Sequence, residues 1–385
     1  MTDEIEADRQ LLRETTGRFL DDTIPLTLLR ASFDDPTPDL TDHWRQGAEL
    51  GWTSMLVGEE FGGGSISDEP LVDLVAVAIE CGRRLAPGPL RPVNQVALAI
   101  ARDGTDEQRR RLLPALADGS TTAAWCANDP FEAAASMGST LAGTTHGDVL
   151  IGRHGMVEHA DAAGLVLVVA ATDAGLAHVL LDRHAEGLAI ETLRGLDAAR
   201  RFASVELDRV EVPADGVVGS SGPAVADTVE RLHALGVVLQ AAESVGATAA
   251  ALELTVEYVG ERVAFGRAIG SFQALKHRLA DIKVALEASF GAVHGAARAL
   301  SPELSTLGPL DGDVAELVHA VKSYVGDASV AAVQDCVQMH GGIGVTWEHD
   351  LHLFLRRLVE NQVICGTPEQ HRRAISRRRL AEVAQ

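Results

Sequence analysis

Between residue 1 and about 118, apolar side chains recur at three- and four-residue intervals. Asp42 to Leu50, Leu71 to Ile79 and Val93 to Ala101 fit a 3.6-residue period better than an alternating one, which predicts helices. Pro36, Pro38, Gly62 to Gly64, Pro87 and Pro89 punctuate them. The pattern then changes. Leu165 to Ala171, His178 to Asp182, Leu188 to Leu193 and Phe202 to Asp208 are short runs rich in Val, Leu and Ile, bounded by Gly, Asp and Arg, and predict a small antiparallel sheet. From Ala224 the helical period returns in longer segments. Ala224 to Arg262 carries no proline and would extend over roughly 50 Å. Ala268 to Leu300, Val314 to His340 and Asp350 to Asn361 would complete a bundle. The expected class is α+β, with a helical unit over 1–118, a β unit over 119–220 and a four-helix bundle over 221–385.

Composition narrows the function. With 33 basic and 55 acidic side chains the 385-residue chain carries a formal charge of −22, so no general attraction to nucleic acid or an anionic membrane exists. A phosphate-bearing ligand must be held by a few local groups. Cys81, Cys126, Cys336 and Cys365 lie far apart, without the close pairing of a zinc site or a disulfide framework, so no metal is expected. The N-terminus is acidic and polar, unlike a secretory leader, and no uninterrupted apolar run approaches the ~20 residues of a bilayer span, so a cytoplasmic location is expected.

Two segments carry candidate chemistry. Glu261 to Gln273 reads ERVAFGRAIGSFQ; taken alone, Arg262 and Phe265 could equally be a solvated residue and a core residue at a helix end. Gln338-Met-His-Gly-Gly-Ile-Gly344 sets a polar side chain before a glycine cluster, which lets backbone approach a ligand and turns amides toward an anion.

Together, the two segments and the αβα layout resemble the acyl-CoA dehydrogenase family over nearly the whole chain. That family's Arg-x-x-Phe-Gly-x-x-Ile-x-x-x-Gln pattern is matched by Arg262, Phe265, Gly266, Ile269 and Gln273, and its Gln-x-x-Gly-Gly-x-Gly pattern by Gln338, Gly341, Gly342 and Gly344. The resemblance implies FAD at a subunit interface. Arg262, Phe265 and Gln273 of one chain would hold its ADP portion with Gln338, Gly341 and Gly342 of a neighbour. Arginine and backbone amides suit a pyrophosphate without a basic surface.

The middle unit departs from the family pattern. Trp125-Cys-Ala-Asn128-Asp129-Pro130 stands where the family reads Thr-Glu-Pro, and Ala134 stands where a hydroxyl is expected. Met156, Val157 and Glu158 align with the segment that faces the flavin ring. Thr367 and Glu369, just after the position of the family's base, are with Trp125, Asn128, Met156 and Glu158 implied by the resemblance as cofactor-binding residues.

That base is itself missing. The resemblance implies a Glu that removes the α proton while the β hydrogen leaves as hydride. Its usual place, just before Gly-Thr, is Cys365; its second place, 26 residues before the motif arginine, is Gly236. His233, one turn earlier, is a weak substitute candidate. The runs Leu351 to Arg357 and Ile364 to His371 are similar to actinobacterial acyl-CoA dehydrogenases that pair a base-bearing chain with a base-less homologue in an α2β2 tetramer. This implies an acyl-CoA thioester as ligand, a homologous subunit or a second copy as partner, and an electron-transfer flavoprotein or similar acceptor. Two alternatives stay open: a self-sufficient flavoenzyme with an unconventional base or a monooxygenase reaction, and a flavin-free scaffold or CoA-thioester binding protein.

Overall fold

A computed structural model describes residues 2–31, 40–127, 131, 139–144 and 147–383. The first helical unit comprises α1 (Thr2–Thr23), α2 (Leu26–Ala31), α3 (Thr41–Glu49), α4 (Pro70–Arg83), α5 (Leu90–Asp103) and α6 (Asp106–Ala117). Helix α6 begins in a reciprocal cap: Thr105 Oγ1 accepts from the Gln108 amide at 3.2 Å, and Gln108 Oε1 from the Thr105 amide at 2.9 Å. The same Gln108 side chain donates to the carbonyls of Asp215 and Val217 at 2.9 and 2.8 Å. One residue thus starts a helix and ties it to the segment that leaves the sheet.

The sheet holds β1 (Ala123–Cys126), β2 (Ser139–Thr144), β3 (Gly147–Glu158), β4 (Leu165–Thr172), β5 (Gly175–Asp182), β6 (Leu188–Leu193) and β7 (Phe202–Glu211). Strand order is β1-β4-β2-β3-β7-β6, with β5 also on β4. The pairs β2–β3, β3–β7, β4–β5 and β6–β7 are antiparallel as expected, but β1–β4 and β2–β4 are parallel, so the sheet is mixed. The reason is connectivity. Parallel neighbours need a long crossover, and the excursion through β2 and β3 supplies it for β1 and β4.

Helix α7 (Pro223–Glu261) follows, then a two-stranded hairpin, β8 (Val263–Ala264) and β9 (Arg267–Ala268), and α8 (Gln273–Glu303), α9 (Gly312–His340), α10 (Leu351–Val363) and α11 (Pro368–Val383). The C-terminal region therefore has five helices rather than four, and the helix expected from Ala268 begins only at Gln273. Phe265 and Gly266 both have positive φ, 54° and 81°, the requirement of a two-residue hairpin turn. That turn ends α7 and delays α8.

At 39 residues α7 is ~58 Å long, and its middle turns, from Ala234 to Ala249, are buried on every side. It is long and apolar enough to cross a membrane, but it is packed inside the fold, against α4, α5, α8, α9 and α10. Its closest approach is to α4. A Cβ on Gly82 would overlap the Glu243 carbonyl, and one on Gly246 would overlap the Ile79 carbonyl. The two glycines let the backbones touch, which sets the Glu243 backbone directly against Gly82.

Candidate functional site

The loop after α10 carries one expected base position, and α7 carries the other. Lys322 on α9, fully buried, donates to the Ile364 carbonyl at 2.6 Å and also to the Asn361 carbonyl and Gln240 Oε1. Burial pushes its ammonium down to about 7. From α11, His371 Nε2 donates to the Cys365 carbonyl at 2.8 Å, so its Nδ1 accepts from His319 Nδ1–H at 2.9 Å. These contacts fix Cys365 and Gly366 at φ 58° and 90°.

Thus held, Cys365 faces Gly236. A Cβ on Gly236 would stand 3.5 Å from Cys365 Sγ and 3.6 Å from Arg91 Cδ, and would press on Gln95 Nε2 at 2.7 Å. The two expected base positions, far apart in sequence, meet at one point. That point belongs to a cation: Arg91 Nη1 lies 3.4 Å from Cys365 Sγ. Arg91 Nη2 pairs with Glu158 at the end of β3.

Glu158 opens a buried chain of alternating charges. Arg200 Nη1 lies 3.9 Å from Glu158 Oε1, and Arg200 Nη2 pairs with Glu243. Glu243 also takes Arg357, which pairs in turn with Asp197 and donates to the Leu85 carbonyl at 3.1 Å. Burial alone would raise the Glu158 carboxyl, but Arg91 and Arg200 outweigh it and hold it below its ordinary value. Glu360, beside this chain, goes the other way: burial, then Asp197, raises its carboxyl, and its Oε2 has no hydrogen-bond partner among the described residues.

The other expected residues fall around this centre. The Trp125 ring stands 4.7 Å from His233, and burial, then Arg91, pushes His233 down to about 3, leaving it a feeble proton acceptor. Met156, at φ 51°, sits in a register shift of β3 and points outward, 55% exposed. Thr367 caps α11 with Gln370, and the exposed Glu369 pairs with Arg373 at 2.5 Å. Phe131 lies against Gly366, where any Cβ would overlap its ring, and packs on His371 at 4.7 Å. Asn128 and Ala134 lie outside the described residues.

The nucleotide-site candidates are on the surface instead. Arg262 ends α7, Gln273 begins α8, and Phe265 at the hairpin tip is 94% exposed. Gln338 is exposed on the last turn of α9; Gly341, at φ 64°, and Gly342 both have open space where a Cβ would be. Tyr258 stacks on His340 at 4.2 Å, so the ends of α7 and α9 that carry the two motifs lie side by side. These groups fit a dinucleotide's phosphates and adenosine: exposed polar donors, open glycine backbone and an uncovered aromatic ring. Among the described residues of the sheet side, Glu158 is locked in ion pairs and offers no free carboxylate to a flavin ring.

Arg91 and Arg200 escaped the sequence reading. The one available signal for Arg91 was a charged residue in the first turn of the apolar helix LRPVNQVALAI.

The profile of the acyl-CoA dehydrogenase N-terminal domain matches residues 6–120, and that of the C-terminal domain matches residues 231–380. Acyl-CoA dehydrogenase IpdE2 of Mycobacterium tuberculosis is 29% identical over 364 residues, covering 94% of both chains. FadE34 of the same organism is 33% identical over 365 residues, covering 93% of this chain and 45% of that one. Among solved structures, the Tcur3481-Tcur3483 steroid acyl-CoA dehydrogenase superposes with a TM-score of 0.83 at 26% identity, covering 99% of this chain and 100% of that one. The ChsE4-ChsE5 complex of Mycobacterium tuberculosis superposes with a TM-score of 0.83 at 24% identity, covering 97% of each. Fold, motifs and relatives agree, and the chain belongs to the acyl-CoA dehydrogenase family.

Proposed function

We propose that this chain is the non-reacting subunit of a FAD-dependent acyl-CoA dehydrogenase, working beside a homologous chain that carries the base. The observation that carries the proposal is the meeting of Cys365 and Gly236 at Arg91. A general base must present an unengaged lone pair to the substrate's α proton. Both positions where the family resemblance puts that base lack a carboxylate, and the point between them is held by a guanidinium. His233 does not replace it, being pushed down to about 3.

The nucleotide half of the reading rests on different residues. Arg262, Phe265 and Gln273 of this chain, with Gln338, Gly341 and Gly342 of a neighbour, would hold the ADP portion of FAD. Bound FAD would supply the hydride acceptor. The paired Glu158 and the placement of Phe131 against Gly366 support assigning the reacting flavin ring to the partner's half of the assembly. Two relatives in solved structures are recorded as two-protein assemblies, ChsE4-ChsE5 and Tcur3481-Tcur3483, which fits a hetero-oligomer here.

The test is co-expression with a base-bearing homologue. A yellow hetero-oligomer containing both chains, with FAD bound at fewer sites than there are chains, supports the proposal. FAD bound one per chain by this protein alone contradicts it.

A further inference from the structure

A cavity of ≈ 570 Å³ lies between α3, the α4–α5 and α6–β1 connections and the β3–β4 and β6–β7 loops. Next to it is a void of ≈ 40 Å³ against α4, α5 and α7, walled by Trp52, Ala78, Cys81, Leu90, Arg91 and Leu239. Trp44, Pro87, Gly88, Glu158 and Arg200 line both spaces and so form the partition between them. Glu243 lines the inner void and not the outer cavity, and Arg200 extends through the partition to pair with it. At the inner wall, Arg91 leads on to Cys365.

Arg200 is the member of this partition that is free to leave. Its backbone belongs to the β6–β7 connection, whereas its partners Glu158 and Glu243 stand on β3 and α7. Breaking a buried ion pair is expensive chiefly because it strands a charge without a partner. Withdrawal of Arg200 strands neither carboxylate: Glu158 keeps Arg91, and Glu243 keeps Arg357. Arg357 has no such freedom, being fully buried and paired with Asp197 as well. Arg200 is also incompletely satisfied where it stands. Its Nη1 is buried, lies 3.9 Å from Glu158 and has no hydrogen-bond partner among the described residues. The outer cavity has room for the guanidinium, and water there would supply the missing hydrogen bonds, offsetting part of the lost pair with Glu243.

We propose that Arg200 is a gate. Swung from Glu243 into the outer cavity, it joins the two spaces and admits small uncharged molecules to the apolar wall of the inner void. The gate uses contacts within this chain alone, so it holds whether or not the chain pairs with a base-bearing homologue.

Thiol labelling of the full-length protein with N-ethylmaleimide, mapped by mass spectrometry, tests it. Cys81 lines the inner void, whereas Cys126 lies in the core of the sheet. Burial pushes both thiols up, so Cys126 is a matched control that the reagent meets only when the fold opens. Cys81 is expected to react at least about tenfold faster than Cys126, because a local opening is more frequent than global unfolding. Arg200→Ala should speed Cys81 by about a further tenfold and leave Cys126 as it was. Cys81 and Cys126 reacting at one common rate, Cys81 unmoved by Arg200→Ala, or Cys126 accelerated as much as Cys81 by that substitution would each overturn the proposal.

Discussion

Cys365 Sγ lies 3.5 Å from the point where a side chain on Gly236 would begin, although 129 positions separate them. Helix α7 delivers one and the Lys322-tethered end of α10 the other, and Arg91 stands beside both. The point is geometrically ready for a base and electrostatically set against a free one.

Restoring a carboxylate there should show this. In Cys365→Glu the new group would lie beside the Arg91 guanidinium, which favours the ionised form and engages its lone pairs. Its titration, followed by carbon NMR, is expected below the ordinary glutamate value of about 4.3. Adding Arg91→Met should move it upward. A carboxylate that titrates identically with and without Arg91 contradicts the assignment of the cation to this point.

The charge network predicts an asymmetry in stability. Arg357→Met leaves Glu243 and Asp197 short of a buried partner, and urea unfolding should show a loss of about 3–5 kcal/mol. Exposed pairs such as Arg372–Asp327 should cost under about 1 kcal/mol when broken.

Glu360 provides the pH test. Its folded carboxyl is raised, so above the ordinary glutamate value the unfolded chain has released a proton that the folded chain still favours. Stability is then lost as pH rises from the ordinary value through the folded one. Glu360→Gln removes that penalty, so the variant should melt higher than the parent at pH 7, with the gap closing as pH falls below about 4. Glu158, whose folded value is lowered, works in the opposite sense: its contribution is present above the ordinary value and lost in acid. A Glu360→Gln gap independent of pH would contradict this reading.

Where α4 crosses α7, Gly82→Ala and Gly246→Ala each force a methyl into a facing carbonyl. Each should cost about 2–3 kcal/mol or more in urea unfolding, since neither backbone can move aside.

Much of this architecture was legible in the chain. Helix α7 was bounded within a residue at each end, because a long apolar run without proline has few other fates, and Leu188–Leu193 was placed at both ends by its flanking turns. Helix α11 was not, because it is arginine-rich and buries only Pro368 and His371, so no apolar stripe marks it. The parallel pairings of β1 and β2 with β4 are set by tertiary connection, which strand composition does not encode. At the site, the absence of a carboxylate was readable from Cys365 and Gly236. That Arg91 occupies their meeting point was not, because neighbours across three elements leave no spacing pattern.

The proposed nucleotide cradle gives a separate prediction. Arg262→Ala should lower FAD affinity of any assembly containing it by about 10- to 150-fold, the equivalent of about 1.5–3 kcal/mol for a charge-assisted partner. Retained flavin measured by absorbance after dialysis reports it, and unchanged content would place the pyrophosphate elsewhere.

The central claim is tested most directly by anaerobic flavin bleaching with acyl-CoA thioesters, comparing this chain alone, supplied with FAD, against the same chain co-purified with a base-bearing homologue. The account predicts no bleaching by the chain alone above a background reduced about 10²–10⁴-fold by the missing base, and rapid bleaching by the pair. Rapid bleaching by the chain alone would contradict it, and loss of that bleaching in Cys365→Ala or His233→Phe would name the base.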